Sequence, residues 1–303
     1  MTSSPSTSTV AAPTHRATCA VGDERTANRI VDTLSETFDG DEVAVAAFER
    51  PDGRWDVTLY FASAPDEVAI RDVVQLSAGQ QVAAAMAFDT IAAQDWVKSS
   101  LEGLVPVEAG RFVVHGHHDR DRIAPNKLGI EIEAALAFGT GHHGTTRGCL
   151  LLLDRVLHRS TPRRVLDLGS GTGVLAIAAA KALHRKILAS DIDARSAIVA
   201  AENARLNGVG HYVESIHATG FASPRFATMG PFGLVMANIL ANPLRKLAPE
   251  MAAHLAPCAF VILSGLLPHQ ARGVIAAYRG QGLRLVRRIQ LDGWTSLLLR
   301  RMG

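Results

Sequence analysis

Short apolar runs alternate with helical segments along the second half of the chain, from residue 128 to the C-terminus. Most runs are nearly continuous in Val, Ile, Leu and Ala, as is typical of strands buried on both faces of a parallel sheet. The pattern predicts an α/β fold with a doubly wound, seven-stranded, mostly parallel sheet that ends in an antiparallel hairpin. The predicted strands cover residues 128–133, 164–168, 186–191, 233–238, 259–263, 283–290 and 294–300. The predicted helices cover residues 146–157, 174–183, 194–207, 243–255 and 269–281.

The first 115 residues show a different arrangement, with strands and helices of mixed order. A helix is predicted over 23–38, because Ala27, Ile30, Val31 and Leu34 fall on one helical face. These elements favour a smaller α+β domain in front of the large sheet. The other predictions are strands over 16–20, 43–48 and 55–61, a helix over 65–76, a strand or helix over 82–90, and a strand–turn–strand over 105–115.

These patterns predict four segments: a disordered tail over 1–14, an N-terminal α+β domain over 15–115, a connector over 116–127 and a large domain over 128–303. The tail is rich in Ser and Thr and lacks the apolar core of a secretory signal. The connector region is rich in His, Asp and Arg, so we expect it to be exposed. His115, His117 and His118 could suggest a metal site, but a solvated loop is the favoured interpretation, and we predict no metal.

The formal net charge of +2 conceals an asymmetry. Residues 1–120 carry 9 Lys and Arg against 18 Asp and Glu, whereas residues 121–303 carry 22 against 11. This split predicts two units with different partners, or with each other as partners; two ordinary solvated surfaces are the alternative. No apolar run is long enough to span a bilayer. Cys19, Cys149 and Cys258 lie far apart, so we expect reduced thiols in a cytoplasmic protein.

A glycine-rich turn is the strongest local feature, in the sequence Val165-Leu-Asp-Leu-Gly-Ser-Gly-Thr-Gly173. It follows a predicted strand and begins a predicted helix. Glycines allow the backbone to approach a ligand closely, and the N-terminus of the helix favours an anionic group. The spacing matches neither the dinucleotide-binding nor the P-loop motif. The turn therefore predicts a nucleotide-like ligand at Gly169, Gly171 and Gly173, and an NAD-dependent dehydrogenase is disfavoured.

Two further polar residues are predicted at the carboxyl edge of the same sheet, where ligands bind in doubly wound folds. Asp191 ends the next strand, and its carboxylate can accept both hydroxyls of a ribose. Asp193 is the competing candidate, but its position before a helix favours a capping role. Asn238 ends a later strand and is a candidate for contact with the cofactor or with the incoming nucleophile.

The glycine turn together with Asp191 resembles the signature of class I, Rossmann-like methyltransferases that use S-adenosylmethionine. Two further segments, 137–146 and 237–244, resemble the hallmark segments of the ribosomal protein L-eleven (L11) methyltransferase family. The resemblance runs from about Ile130 to Arg300 and implies a protein N-methyltransferase acting on lysine and α-amino groups of that ribosomal protein. We also expect a monomer that requires no direct nucleic-acid contact. The implied cofactor contacts are Thr145, Gly169, Asp191 and Asn238, to which the glycine turn adds Gly171 and Gly173.

The first hallmark segment departs from the family at several positions, with Gly144 where relatives often have Pro and with His142 or His143 where they have Thr. The departure leaves Thr145 in place. The two histidines are candidates for a general base, but packing within the loop is their favoured role. The sequence identifies no catalytic residue beyond the candidate Asn238.

Other functions compatible with the sequence are methyl transfer to a different protein lysine or to RNA, and a binding module that has lost activity. The positive C-terminal half could bind phosphate, but the Asn-Pro-Pro-Tyr motif often used for amide or adenine nitrogens is missing. We expect the acidic N-terminal domain to attract a lysine-bearing substrate. The connector around 119–126 would then let that domain reorient.

Overall fold

The computed structural model describes residues 14–38, 43–50, 52–61, 63–91, 106–132 and 143–302. The chain divides into two compact units, Met1–Glu102 and Gly103–Gly303. The predicted tail lies outside the described residues, apart from residue 14. None of the helices in the described ranges is long and apolar enough to cross a membrane.

The smaller unit has a four-stranded antiparallel sheet in the order β2-β3-β1-β4. Its helix α1 begins after Asp23, whose carboxylate accepts a hydrogen bond from the backbone N–H of Thr26. The predicted apolar face of α1 is buried, which confirms the helix and its orientation. The elements are β1 (Thr14–Val21), α1 (Glu24–Thr37), β2 (Val43–Glu49), β3 (Trp55–Phe61), α2 (Glu67–Ala78), α3 (Gln80–Ala84) and β4 (Ala87–Ile91).

The larger unit is built on a seven-stranded sheet in the order β10-β9-β8-β11-β12-β14-β13. Five strands are parallel, and β14 runs antiparallel to both β12 and β13. The strands are β8 (Val165–Leu168), β9 (Ile187–Asp191), β10 (Val213–His217), β11 (Phe232–Asn238), β12 (Leu255–Leu266), β13 (Leu283–Leu291) and β14 (Trp294–Arg301). The helices are α4 (His143–Leu157), α5 (Val174–Leu183), α6 (Ala194–Leu206), α7 (Pro224–Met229), α8 (Ala241–Ala253) and α9 (Ala271–Arg279).

Apolar residues of each central strand alternate between two cores, one on each face of the sheet. Leu234 packs on one side with residues of α4 and α5, and its neighbour Val235 packs on the other side with α8 and α9. The doubly wound α/β fold and its antiparallel edge are therefore confirmed. Parallel strands bring their carboxyl ends to one edge, and the glycine turn, Asp191 and Asn238 follow from that geometry.

The seventh strand of the sheet is not the one that the sequence predicts. Leu128–Glu131 forms β7, but it pairs with β6 (Phe112–His115) in a separate three-stranded sheet that begins with β5 (Val107–Ala109). The seventh position belongs to β10, in which only Val213 is buried. An edge strand with so little apolar burial has no strong hydrophobic signal in the sequence.

The prediction of an exposed connector is confirmed for most of its length, because eight of the twelve residues 116–127 are exposed. Residues His117–Arg122 form a 3-10 helix between β6 and β7, and Asp119 is only 2% exposed. His115 is also buried. The buried carboxylate of Asp119 forms ion pairs with the exposed side chains of His118 and Arg122. Residues 103–127 accordingly belong to the larger unit, whereas the sequence suggested a boundary near residue 115.

Candidate functional site

The glycine turn joins β8 to α5 with three left-handed residues, at φ values of 69° for Gly169, 52° for Gly171 and 79° for Gly173. Such angles are costly for any residue with a side chain. A Cβ atom on Gly169 would lie 2.4 Å from the Cγ2 atom of Ile239, whereas one on Gly171 would meet nothing within 4 Å. The backbone of Gly171 therefore faces open space, where a ligand can approach it.

Asp191 lies at the end of β9, half-buried, beside this turn. Its Oδ2 atom accepts a hydrogen bond of 2.7 Å from the N–H of Gly171, and its Oδ1 atom accepts one of 3.0 Å from the N–H of Asp193. A carboxylate oxygen can accept more than one hydrogen bond, so capacity remains on both atoms. The structure thus brings together Asp191 and the glycine turn, as predicted.

Asp193 has the capping role that the sequence favours. Its carboxylate accepts hydrogen bonds from the N–H groups of Arg195 and Ser196 at the start of α6. The hydrogen bond of 2.8 Å from the Ser196 hydroxyl has the largest effect and, together with these backbone bonds, lowers the pKa of Asp193. Two acidic residues only two positions apart therefore have different tasks, and only Asp191 bonds the glycine turn.

Asp167 connects the two ends of the turn, because it lies in β8 and bonds to helix α5. It is 1% exposed, and its Oδ2 atom accepts a hydrogen bond of 2.9 Å from the N–H of Ala176 in α5. Burial raises the pKa of Asp167 to about 7, opposed by that hydrogen bond and reinforced by the charge of Asp191. The sequence alone indicated no role for this acid, which lies two positions before the first glycine.

Thr145 and Asn238, 93 residues apart in sequence, meet at the same edge of the sheet. Asn238 ends β11, and its Nδ2 atom donates a 3.2 Å hydrogen bond to the Oγ1 atom of Thr145. Thr145 is fully buried in the first turn of α4. Ile239, the residue after Asn238, packs over Gly169, so this pair lies next to the glycine turn.

Two serines that the sequence did not predict continue this polar chain. The Oγ atom of Ser264, at the end of β12, donates to the carbonyl oxygen of Thr145 at 3.3 Å. It also shares a 2.7 Å hydrogen bond with the Oγ atom of Ser296 on β14. Both serines are buried, and each lies in an apolar strand, so the sequence offered no local signal for their role.

Ile192 is a third residue that the sequence did not predict. It directly follows Asp191 and is 53% exposed, an unusual position for a large apolar side chain. The signal was present in the order Asp-Ile-Asp at the end of a strand. An apolar surface next to a carboxylate suits a ligand with a ring and a sugar.

The histidine candidates are placed only in part. His142 lies outside the described residues, and His143 is described only through its backbone, in α4. His117 and His118 lie beside the carboxylates of Glu131 and Asp119, at 3.0 and 3.1 Å. Across the described ranges, no group of three or more His, Cys, Asp or Glu side chains is arranged to hold a metal ion.

The strand order, the glycine turn after the first parallel strand and the carboxylate at the end of the second define a class I methyltransferase fold. A family model described as "Ribosomal protein L11 methyltransferase (PrmA)" matches residues 23–302. The chain therefore belongs to the ribosomal protein L11 methyltransferase family, as its hallmark segments predicted.

Relatives and solved structures agree with this assignment. A ribosomal protein L11 methyltransferase of Bradyrhizobium diazoefficiens is 69% identical over 291 residues, covering 96% of this chain and 99% of that protein. The protein of that name from Rhodopseudomonas palustris is 65% identical over 94% of this chain and 96% of its own length. The crystal structure of a ribosomal protein L11 methylase from Lactobacillus delbrueckii subsp. bulgaricus matches with a TM-score of 0.59 at 29% identity, over 66% of this chain and all of that one.

Proposed function

We propose that this methyltransferase transfers methyl groups from S-adenosylmethionine to lysine and α-amino groups of ribosomal protein L11. The observation that carries the proposal is the hydrogen bond between Asp191 and the N–H of Gly171, next to the Thr145–Asn238 pair. The names of the relatives support the choice of substrate.

The described residues fit S-adenosylmethionine. Asp191 has acceptor capacity for the ribose hydroxyls, and the exposed side chain of Ile192 offers an apolar surface to the adenine ring. Gly171 leaves space for close approach, and the Oγ atom of Ser170 is buried without a hydrogen-bond partner in the described residues. We assign the cofactor contacts to Thr145, Gly169, Gly171, Gly173, Asp191 and Asn238.

When bound, S-adenosylmethionine supplies an activated methyl group. The task of the chain is to hold a neutral amine in line with that group and to exclude water. Because the Nδ2 atom of Asn238 donates to Thr145, its Oδ1 atom is directed elsewhere and can accept an N–H of the incoming amine. A lysine amine has a pKa of ~10.4, so it must lose a proton before it reacts.

The smaller unit is assigned to substrate recognition. Residues 1–102 carry 7 Lys and Arg against 16 Asp and Glu, a formal charge of −9. An acidic surface accelerates the encounter with a lysine-bearing ribosomal protein. This attraction weakens with added salt, which screens the charges. Residues 117–122, part of the connector that we expected to let the smaller unit reorient, form a 3-10 helix within the larger unit. The setting we propose is the cytoplasm.

The test is methylation by the whole chain of purified L11 and, in parallel, of the total RNA from the same cells. We expect labelled methyl groups in L11, and mass spectrometry of its peptides to place them on lysines and on the N-terminal amine. Label mainly in RNA, or on residues other than these amines, would contradict the proposal. An Asp193→Asn variant is the matched control for Asp191→Asn, because it removes a nearby carboxylate that has a different role.

A further inference from the structure

Arginines are concentrated on the sheet edge that β13 forms, away from the proposed transfer site. Residues 251–303 contain seven Arg, one Asp and no Lys. Three of these arginines, Arg284, Arg287 and Arg300, share one face of the β13–β14 hairpin, and we call them the arginine row. The proposed methyl transfer uses none of them.

The pairing register of β12, β13 and β14 determines which arginines share a face. Arg284 lies directly opposite Arg300, and Arg300 lies directly opposite Phe260 of β12, so these three side chains share one face. The register of β13 shifts between Leu285 and Arg287. Without this bulge Arg287 would point to the opposite face, but with it Arg287 pairs with Leu298 and joins Arg284.

The arrangement is electrostatically unfavourable for the protein alone. Like charges directly opposite each other on one face of a sheet destabilise it. Among the described residues, no carboxylate forms an ion pair with any member of the arginine row. Arg284 and Arg287 are exposed, and the guanidinium carbon of Arg300 lies 5.4 Å from the centre of the Phe260 ring. A bound polyanion would relieve this repulsion.

We propose that the arginine row, with Phe260, binds RNA. Arginine forms paired hydrogen bonds to phosphate, and the consistent use of Arg without Lys suits that geometry. The Arg300–Phe260 pair provides a cation and an aromatic ring side by side, the combination on which unpaired bases stack. A lysine-bearing ribosomal protein would be repelled by this face, so its partner differs from the methyl acceptor. The proposal does not depend on the proposed function.

Protection of the sheet edge is the competing explanation. Charged side chains on an edge strand discourage pairing with a second copy of the chain. That role explains exposed arginines on β13, but not Arg300, which is on the inner strand β14. Nor does it explain a bulge that collects the charges on one face.

The experiment measures binding of a fluorescein-labelled single-stranded RNA of about 20 nucleotides to the whole chain by anisotropy, across a range of salt concentrations. We expect the double variant Arg284→Gln/Arg287→Gln to bind about tenfold more weakly, and its slope of log K against log salt to fall by about 1.4. The double variant Arg279→Gln/Arg288→Gln is the control. It removes the same charge from exposed arginines outside the row, and Arg288 faces the other side of β13. It should bind like the unchanged protein.

A second variant tests stacking. Phe260→Leu keeps an apolar side chain but removes the ring, and we expect about fivefold weaker binding with an unchanged salt slope. Methylation of L11 is measured for each variant and should stay at the level of the unchanged protein, which shows that the fold is intact.

Three results would overturn the proposal. The first is equal weakening in both double variants, which would show only general attraction of positive charge. The second is displacement of the RNA by polyglutamate at an equal or lower concentration, which would point to an acidic protein instead. The third is the absence of RNA binding at low salt; dimerisation of Arg284→Gln/Arg287→Gln would then favour edge protection.

Discussion

Two polar clusters of the larger unit differ in how much of their hydrogen-bonding capacity the protein itself uses. At the carboxyl edge, Asp191 bonds two backbone N–H groups and remains half-exposed. In the segment 103–131, Glu131 is 5% exposed and accepts hydrogen bonds from Arg120 and His117. Asn207 then bonds both the N–H and the carbonyl of Glu131. The first cluster keeps acceptor capacity for the ligand that we propose, whereas the second uses its capacity within the protein.

The largest expected effect tests the ligand role of the first cluster. Asp191→Asn should weaken S-adenosylmethionine binding about 100-fold, because charge-assisted hydrogen bonds contribute about 1.5–3 kcal/mol each. Asp193→Asn should leave the affinity near that of the unchanged protein and change stability little, because Asn caps a helix about as well as Asp. Isothermal titration calorimetry measures the affinity. Similar losses in both variants would remove the distinction between the two carboxylates.

A smaller effect concerns Asp167, which belongs to the first cluster by position but is buried like the second. Its pKa is raised in the fold to about 7, from 3.8. Its stabilising contribution is therefore complete below pH 3.8 and is lost as the pH rises to about 7. Asp167→Asn should make the free energy of unfolding less dependent on pH between 3.8 and about 7. Over this range the variant should therefore gain stability relative to the unchanged protein, by a few kcal/mol at most. Urea unfolding of both proteins at pH 5 and pH 8 measures this effect. The same change in unfolding free energy between the two pH values in both proteins would contradict it.

Glu131→Gln tests the structural role of the second cluster. Burial alone would raise the pKa of Glu131, but the hydrogen bonds from Arg120 and His117 outweigh it and lower that pKa. The ionised carboxylate of Glu131 therefore stabilises the fold above pH 4.5. This contribution is lost as the pH falls through the lowered pKa of Glu131. We expect about 1–2 kcal/mol of destabilisation at pH 7, because Arg120 and His117 are largely exposed. The affinity for S-adenosylmethionine, measured in parallel, should not change.

The smallest effect concerns Ser264, which supports the first cluster from within the core. Ser264→Ala removes two hydrogen bonds and should cost about 1 kcal/mol in unfolding free energy. Because it releases the carbonyl of Thr145, we also expect KM for S-adenosylmethionine to rise severalfold. Thr295→Ala is the control, since the Thr295 hydroxyl has no hydrogen-bond partner in the described residues. Equal KM values in the two variants would show that the serine only packs.

The sequence predicted the first cluster far better than the second. The glycine turn and β9 could be placed because apolar strands, glycines and a terminal acid are adjacent in the sequence. Asn207 and Glu131 are 76 residues apart, so nothing local showed that Glu131 would find partners and be buried. The pairing of Thr145 with Asn238 was implied only by a family resemblance. Strand β10 was missed because one buried residue does not make a hydrophobic pattern.

The position of β14 has a consequence for the order of folding during synthesis. β14 is the last strand along the chain, yet it lies between β12 and β13 and supplies Ser296 to the polar chain behind Thr145. The proposed transfer site therefore cannot be completed until β14 has left the ribosome. Domains generally fold as units from the N-terminus during synthesis. The smaller, acidic unit, to which we assign substrate recognition, is thus expected to fold before the proposed transfer site is complete.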